Sequence, residues 1–242
     1  MKTPTPTIFA IGGGDIGVYE TLPIDRQIVE TADRQRINRR GKVKALFIPT
    51  ASGDDQGYCD TFVKVYGRKL SCETDSLLIY GQRRSKVSLK RQIDWCDLVY
   101  VGGGSTPAMI KMWRKYDIDK YLRQAWNRGT VMAGLSAGAN CWFKHGLSDA
   151  YPGRWTTVTC LGFINLACNV HYDSQRGRKQ AFAKLVIAKR ITGIALEDNA
   201  CIKITGDCYE IIKSTRNAKA YWVFDNGDKA RRVEAAGAGK LK

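Results

Sequence analysis

The chain has 242 residues, 44% hydrophobic and 26% charged, which suits one α/β domain with a sizeable core and excludes wholesale disorder. Its 39 Lys and Arg against 23 Asp and Glu give a formal charge of +16. A field of that sign attracts anions of many kinds and is silent about fold. No apolar run reaches the roughly 20 residues of a membrane span, and MKTPTPTIFAIGGGDIG at the N-terminus has no signal-peptide core. A cytoplasmic protein with no membrane partner is expected. Eight cysteines are scattered without a C-x-x-C pair, and His145 and His171 are the two histidines. Free thiols are therefore expected, with no disulfide framework, no metal site and no cofactor.

Short apolar runs at Ile8–Ile11, Ala45–Ile48, Leu77–Tyr80, Leu98–Val101 and Thr130–Leu135 each end in Gly, Pro or Ser, as buried parallel strands do. Helical spacing joins Tyr58, Phe62, Val65 and Tyr66, then Met109, Met112, Trp113 and Tyr116, then Tyr121, Leu122, Ala125 and Trp126. That alternation predicts βαβ units in an α/β, three-layer, doubly wound and mostly parallel sheet, with ligands at the carboxyl ends of its strands. A helix from about Gly177 to Arg190 follows, then Gly193–Leu196. Segments at Ala200–Ile204, Tyr209–Ile212 and Ala220–Phe224 are separated by turn sequences and predict an antiparallel C-terminal extension of the same sheet. A single domain over 1–234 with a flexible tail at 235–242 is expected. Basic residues cluster at Arg36–Lys44, Arg83–Arg91 and Arg176–Lys179; the first two read as solvated faces or loops.

Gly134-Leu135-Ser136-Ala137-Gly138 follows an apolar run and precedes an expected helix at Ala139–Phe143. Strand, tight turn and helix with small flanking residues is the pattern of a nucleophile elbow, which places a serine oxygen at a helix N-terminus. A second glycine loop, Gly102-Gly103-Gly104-Ser105-Thr106, ends the preceding strand. Backbone N–H groups of Gly104 and Ala137 are the candidates for an oxyanion hole. That loop lacks the Lys-Ser/Thr ending of a phosphate loop, and Gly12-Gly13-Gly14 lacks dinucleotide spacing. His171, at a strand end, is placed as a general base should be, whereas His145 reads as lying at the end of the elbow helix, pointing away. The orienting acid is open among Asp149, Glu197 and Asp198.

Taken together, GGGST, GLSAGANCWF, NVHYDSQRGR and GIALEDNACI, spread over about residues 98 to 204, resemble the dipeptidase E and cyanophycinase family of serine peptidases. The resemblance implies a fold like the class I glutamine amidotransferases, Ser136 as nucleophile, His171 as base, and Gly104 and Ala137 as oxyanion donors. The dipeptidase branch implies Asp149 as the acid; the cyanophycinase branch implies the Glu197-Asp198 motif, with Asp198 favoured. It also implies a small acidic peptide as substrate, cleaved after aspartate or at a β-aspartyl linkage. Arg176 and Arg178 are the local candidates to grip its carboxylate, since a guanidinium fork matches one bidentately. A homodimer is compatible with such an enzyme. Rival readings are a cyanophycinase-like or other serine amidase or esterase, and a basic nucleic-acid-binding protein on a non-catalytic scaffold. Against the last, the aromatics sit at core spacing rather than between basic residues.

Overall fold

Strand β1 (Thr7–Ile11) is buried at all five positions, as befits a strand covered on both faces. Ile8 and Ala10 enter one core, Phe9 and Ile11 the other. The structure, a computed structural model, describes residues 5–36, 40–151, 153–235 and 237–241. Beside β1 lie β2 (Lys44–Ile48), β3 (Glu73–Ser76), β4 (Leu98–Val101) and β5 (Val131–Leu135) in the order β1-β5-β4-β2-β3, all parallel. Helices α1 (Leu22–Gln35) and α2 (Gln56–Phe62), the latter running on through Val63–Lys69 in a wider turn, cover one face. On the other face lie α3 (Lys86–Trp95), α4 (Thr106–Lys115) and α5 (Ile118–Asn127). Pro at the helix start and the Ser105 hydroxyl, which accepts the Ala108 N–H, define where α4 begins.

After β5 the chain makes a four-residue helix, α6 (Ala137–Asn140), and enters a second sheet. Its strands are β6 (Phe143–Tyr151), β7 (Arg154–Thr159), β8 (Ile164–Asn169) and β9 (Gly193–Leu196), with α7 (Arg178–Lys189) between the last two. The first sheet gains β10 (Ala200–Thr205) and β11 (Cys208–Lys213), both antiparallel. The second gains β12 (Ala220–Asp225) and β13 (Ala230–Ala235), and β14 (Ala238–Lys240) closes the first. The orders are β14-β11-β10-β1-β5-β4-β2-β3 and β13-β12-β9-β8-β6-β7. The inner face of the second sheet shares a core with β1, β2, β4 and α3–α5, and α7 packs its outer face. The expected α/β class and mostly parallel main sheet hold.

Four local expectations are corrected. The C-terminal strands do not extend one sheet; they divide between two, because β9 buries Ile194 and Leu196 on one face and Ala195 on the other and so needs its own cover. Strand β3 lies at Glu73–Ser76 rather than Leu77–Tyr80; the Ile79 and Tyr80 N–H groups go instead to the Asp54 carboxylate. The expected helix at Ala139–Phe143 stops at Asn140, so His145 and Asp149 are strand residues of β6. Residues 238–240 of the expected tail pair with β11, where Gly239 leaves room for the Tyr209 ring. Part of the basic run Arg36–Lys44, residues 37–39, lies outside the described residues. The second run leads into α3 and lies along its first turns, with Lys86 paired to Asp117 and Lys90 to Asp94. Seven cysteines are buried and Cys208 is exposed, all as free thiols. No helix among the described residues is long and apolar enough to cross a membrane.

One buried acid makes stability depend on pH. Asp25 of α1 has no exposed surface and accepts hydroxyls from Thr21 and Tyr66, each at 2.8 Å. Burial raises its carboxyl from 3.8 to about 6, against the pull of those two hydrogen bonds. The native state thus holds this proton more tightly than the unfolded chain, and stability should fall as pH rises through about 4 to 6. The contribution is on the order of 3 kcal/mol. Urea midpoints across that window should show the slope in the wild type and a flatter profile in Asp25→Asn; parallel profiles would contradict it.

Candidate active site

Ser136, His171 and Asp198 leave three different strands and converge. Ser136 follows β5 in the first sheet, while His171 and Asp198 follow the parallel neighbours β8 and β9 in the second. His171 Nε2 lies 2.8 Å from Ser136 Oγ, and Nδ1 lies 2.6 Å from Asp198 Oδ1. All three side chains are partly exposed. An imidazole so placed can take the hydroxyl proton while the carboxylate holds its tautomer.

Each loop is bent to make this possible. Ser136 has φ 57° and ψ −113°, His171 φ 51° and Asn199 φ 65°. Left-handed backbone at non-glycine residues costs of order 1–3 kcal/mol each and persists only where the surroundings over-determine it. The surroundings here are the main chain at the end of β1 and just beyond it. Ser136 N–H donates to Ile11 O, His171 N–H to Gly12 O, and Asn199 N–H to Gly13 O, each at 3.0 Å. The His171–Asp198 pair lies directly on Gly13, where a Cβ would come 1.8 Å from Asp198 Oδ1 and 2.5 Å from His171 Nδ1. In the sequence this glycine run lacks a nucleotide-loop spacing and so marks no site by itself. Its signal was three glycines together at the end of the first strand.

The second glycine loop also reaches the serine. A Cβ on Gly103 would sit 3.5 Å from Ser136 Cβ. Among the described residues, the Gly104 and Ala137 N–H groups have no hydrogen-bond acceptor.

The other expected residues are placed elsewhere. Glu197 points toward β12, accepting the Lys219 N–H at 2.9 Å and the Tyr221 hydroxyl at 3.2 Å. Asp149 accepts from Gln175 at 2.8 Å and from Arg178 at 3.0 Å. Burial pushes the Asp149 carboxyl up, but the Gln175 amide and the Arg178 charge outweigh it and hold the carboxyl below its ordinary range. Arg178 is 1% exposed, stacks on Trp155 and also donates to Asn169 and Gln175, so its guanidinium is occupied inside the protein. Arg176 is exposed, with no ion pair or hydrogen bond among the described residues. His145 is buried in β6 between β7 and β8. Burial, then Lys189 and Lys144, push its imidazole below the ordinary value. No three His, Cys, Asp or Glu side chains among the described residues are grouped to hold a metal ion.

Gly13→Ala should therefore separate His171 from Asp198 without touching Ser136. Labelling of Ser136 by a fluorophosphonate should slow by two orders of magnitude or more, by roughly the scale of a misoriented imidazole, while the protein still melts cooperatively. Labelling at the wild-type rate would show that the backbone at residue 13 does not set this geometry.

Residues 8–212 match the model of Peptidase family S51. The chain is 34% identical over 221 residues to the "Uncharacterized peptidase YgaJ" of Bacillus subtilis (strain 168), covering 90% of this chain and 91% of that protein. Among solved structures, a peptidase from an acI-B1 actinobacterium aligns with TM-score 0.75 at 15% identity, over 99% of this chain and 98% of that one. A putative peptidase E from Listeria monocytogenes EGD-e aligns with TM-score 0.64 at 17% identity, over 86% and 98%. At those identities the two structures speak for the fold, while the family match and the Bacillus relative extend over most of the chain. The protein belongs to peptidase family S51 and is a serine-type peptidase.

Proposed function

We propose that the protein hydrolyses short Asp-containing peptides through an acyl-enzyme on Ser136. The observation that carries this reading is the His171 ring bonded on one side to Ser136 and on the other to Asp198. In the first half-reaction Ser136 Oγ attacks the carbonyl carbon, and its proton passes to His171 Nε2. Asp198 orients the ring and offsets the imidazolium charge. The Gly104 and Ala137 N–H groups, free of internal acceptors, donate to the oxyanion. Collapse of the tetrahedral adduct breaks the C–N bond, and the amine leaves with the His171 proton. Water then repeats the sequence on the ester and frees Ser136.

The preference for aspartate rests on Arg176. Of the two arginines that the sequence offers, Arg178 is buried and engaged, which leaves the exposed Arg176, five residues beyond His171, to meet a substrate carboxylate.

Ser136→Ala should abolish both hydrolysis and fluorophosphonate labelling with the fold intact; residual labelling elsewhere that tracks activity would sink the assignment. Asp198→Asn should lower the turnover number by about 10⁴, the scale of a lost tautomer-fixing carboxylate. Asp149→Asn should cost no more than about tenfold, because that carboxylate touches Gln175 and Arg178 and not the imidazole. A larger loss at Asp149 than at Asp198 would reverse the assignment.

Asp-Leu should be preferred over Asn-Leu by well over tenfold, since a charge-assisted pair is typically worth ~1.5–3 kcal/mol. Arg176→Met should erase the preference and spare labelling of Ser136. A preference that survives the substitution but fades with salt would point to the general +16 field instead.

A further inference from the structure

The Gly102-Gly103-Gly104 loop has no side chains with which to fix its own peptide planes, and glycine tolerates a wide range of them. Main-chain bonds hold its two ends, Gly102 N–H to Ile48 O at 3.2 Å and Ser105 N–H to Ala51 O at 2.8 Å, and the peptide between them is held from α2. Asp55 accepts the Tyr58 N–H at 2.7 Å and caps that helix. One turn in, the Tyr58 phenol oxygen accepts the Gly103 N–H at 3.3 Å. The ring lies against the neighbouring residue: a Cβ on Gly102 would come 2.8 Å from Tyr58 Cε1 and 3.1 Å from Phe47 Cζ. Phe47 and Tyr58 meet edge to face at 4.9 Å between centroids, so the phenol is itself held.

We propose that Tyr58 is a positioning residue for the oxyanion loop: by accepting the Gly103 N–H it orients the loop so that the Gly104 N–H faces the oxygen on which charge develops. The inference rests on the serine-peptidase mechanism proposed above and adds a residue that no site motif contains. Three features support it. The bond is made on the residue that packs against Ser136. It removes the one N–H of the loop that would otherwise compete, leaving that of Gly104 without an internal acceptor. Burial also raises the phenol above its ordinary value, so it stays neutral at working pH and adds no negative charge beside the developing oxyanion.

A donor that acts on the oxyanion acts in the transition state, so its misplacement should lower kcat and leave KM alone. Tyr58→Phe keeps the ring against Gly102 and Phe47 and removes only the acceptor. Its rate of Ser136 phosphonylation by a fluorophosphonate, and its kcat on Asp-Leu, should both fall by about tenfold, less than the 10²–10³ of deleting an oxyanion donor outright. KM should stay within about twofold. Tyr66→Phe serves as a comparison, since it deletes a hydroxyl from the same ring cluster, where the bond goes to Asp25; its phosphonylation rate should match the wild type. Unchanged phosphonylation and kcat in Tyr58→Phe would overturn the proposal. So would a raised KM with intact kcat, or an equal loss in Tyr66→Phe, which would indicate general softening of the cluster. Failure of the underlying mechanism has a separate signature, activity in Ser136→Ala.

Discussion

Three backbone hydrogen bonds from Ile11, Gly12 and Gly13 join the loops that follow β5, β8 and β9, and the site depends on them. Each accepts from the residue that carries, or directly follows, one member of the Ser136–His171–Asp198 set. The acceptors are the last residue of β1 and the two that follow it, and β1 is central to the first sheet, flanked by β5 and β10, and fully buried. The three side chains are thus referred to one segment of main chain rather than each to its own loop. Strained φ values at Ser136, His171 and Asn199 are tolerable for that reason, because a locked neighbour supplies the energy that the local chain lacks.

The second sheet gives this arrangement its span. A serine at the end of β5 sits in the first sheet, and among the described residues its hydroxyl is hydrogen-bonded by His171 from the second. Parallel β8 and β9 bring His171 and Asp198 side by side, and the shared core beneath both sheets sets the distance between the pair and the serine. Further out, Arg178 ties the His171–Gly177 segment to Asn169 and Asp149. Removing one partner of a buried, hydrogen-bonded guanidinium leaves an uncompensated charge, so this contact is expensive to lose.

Several parts of this were legible from local chemistry. Short apolar runs ending in glycine, proline or serine identified four of the five parallel strands, since burial on both faces demands uninterrupted apolar side chains. The strained turn at Ser136 was visible because Gly134 and Gly138 must lie close to other backbone, and His171 stood out because histidine is scarce in the chain. Strand β3 was missed because its residues, Glu73–Ser76, are polar and partly exposed at a sheet edge, where no apolar pattern marks them. The helix after Ser136 ends sooner than its sequence suggests because a short, largely apolar segment such as Cys141–Phe143 reads equally as buried helix or buried strand.

By itself, then, the amino-acid sequence determined the α/β class, the serine in its turn, the histidine at a strand end and a set of three carboxylates. Only the tertiary structure tells those carboxylates apart by their partners, and tells buried Arg178 from exposed Arg176. Asp149, Glu197 and Asp198 are all acids beside turns, alike in any local pattern. They differ in what lies across from them: Arg178 and Gln175, then Tyr221 and Lys219, then His171. Those partners come from distant parts of the chain. The same holds for Gly13, whose missing side chain matters because residues 171 and 198 pack on it. Contacts of that range are set by how two sheets share one core, and no window of local sequence encodes it.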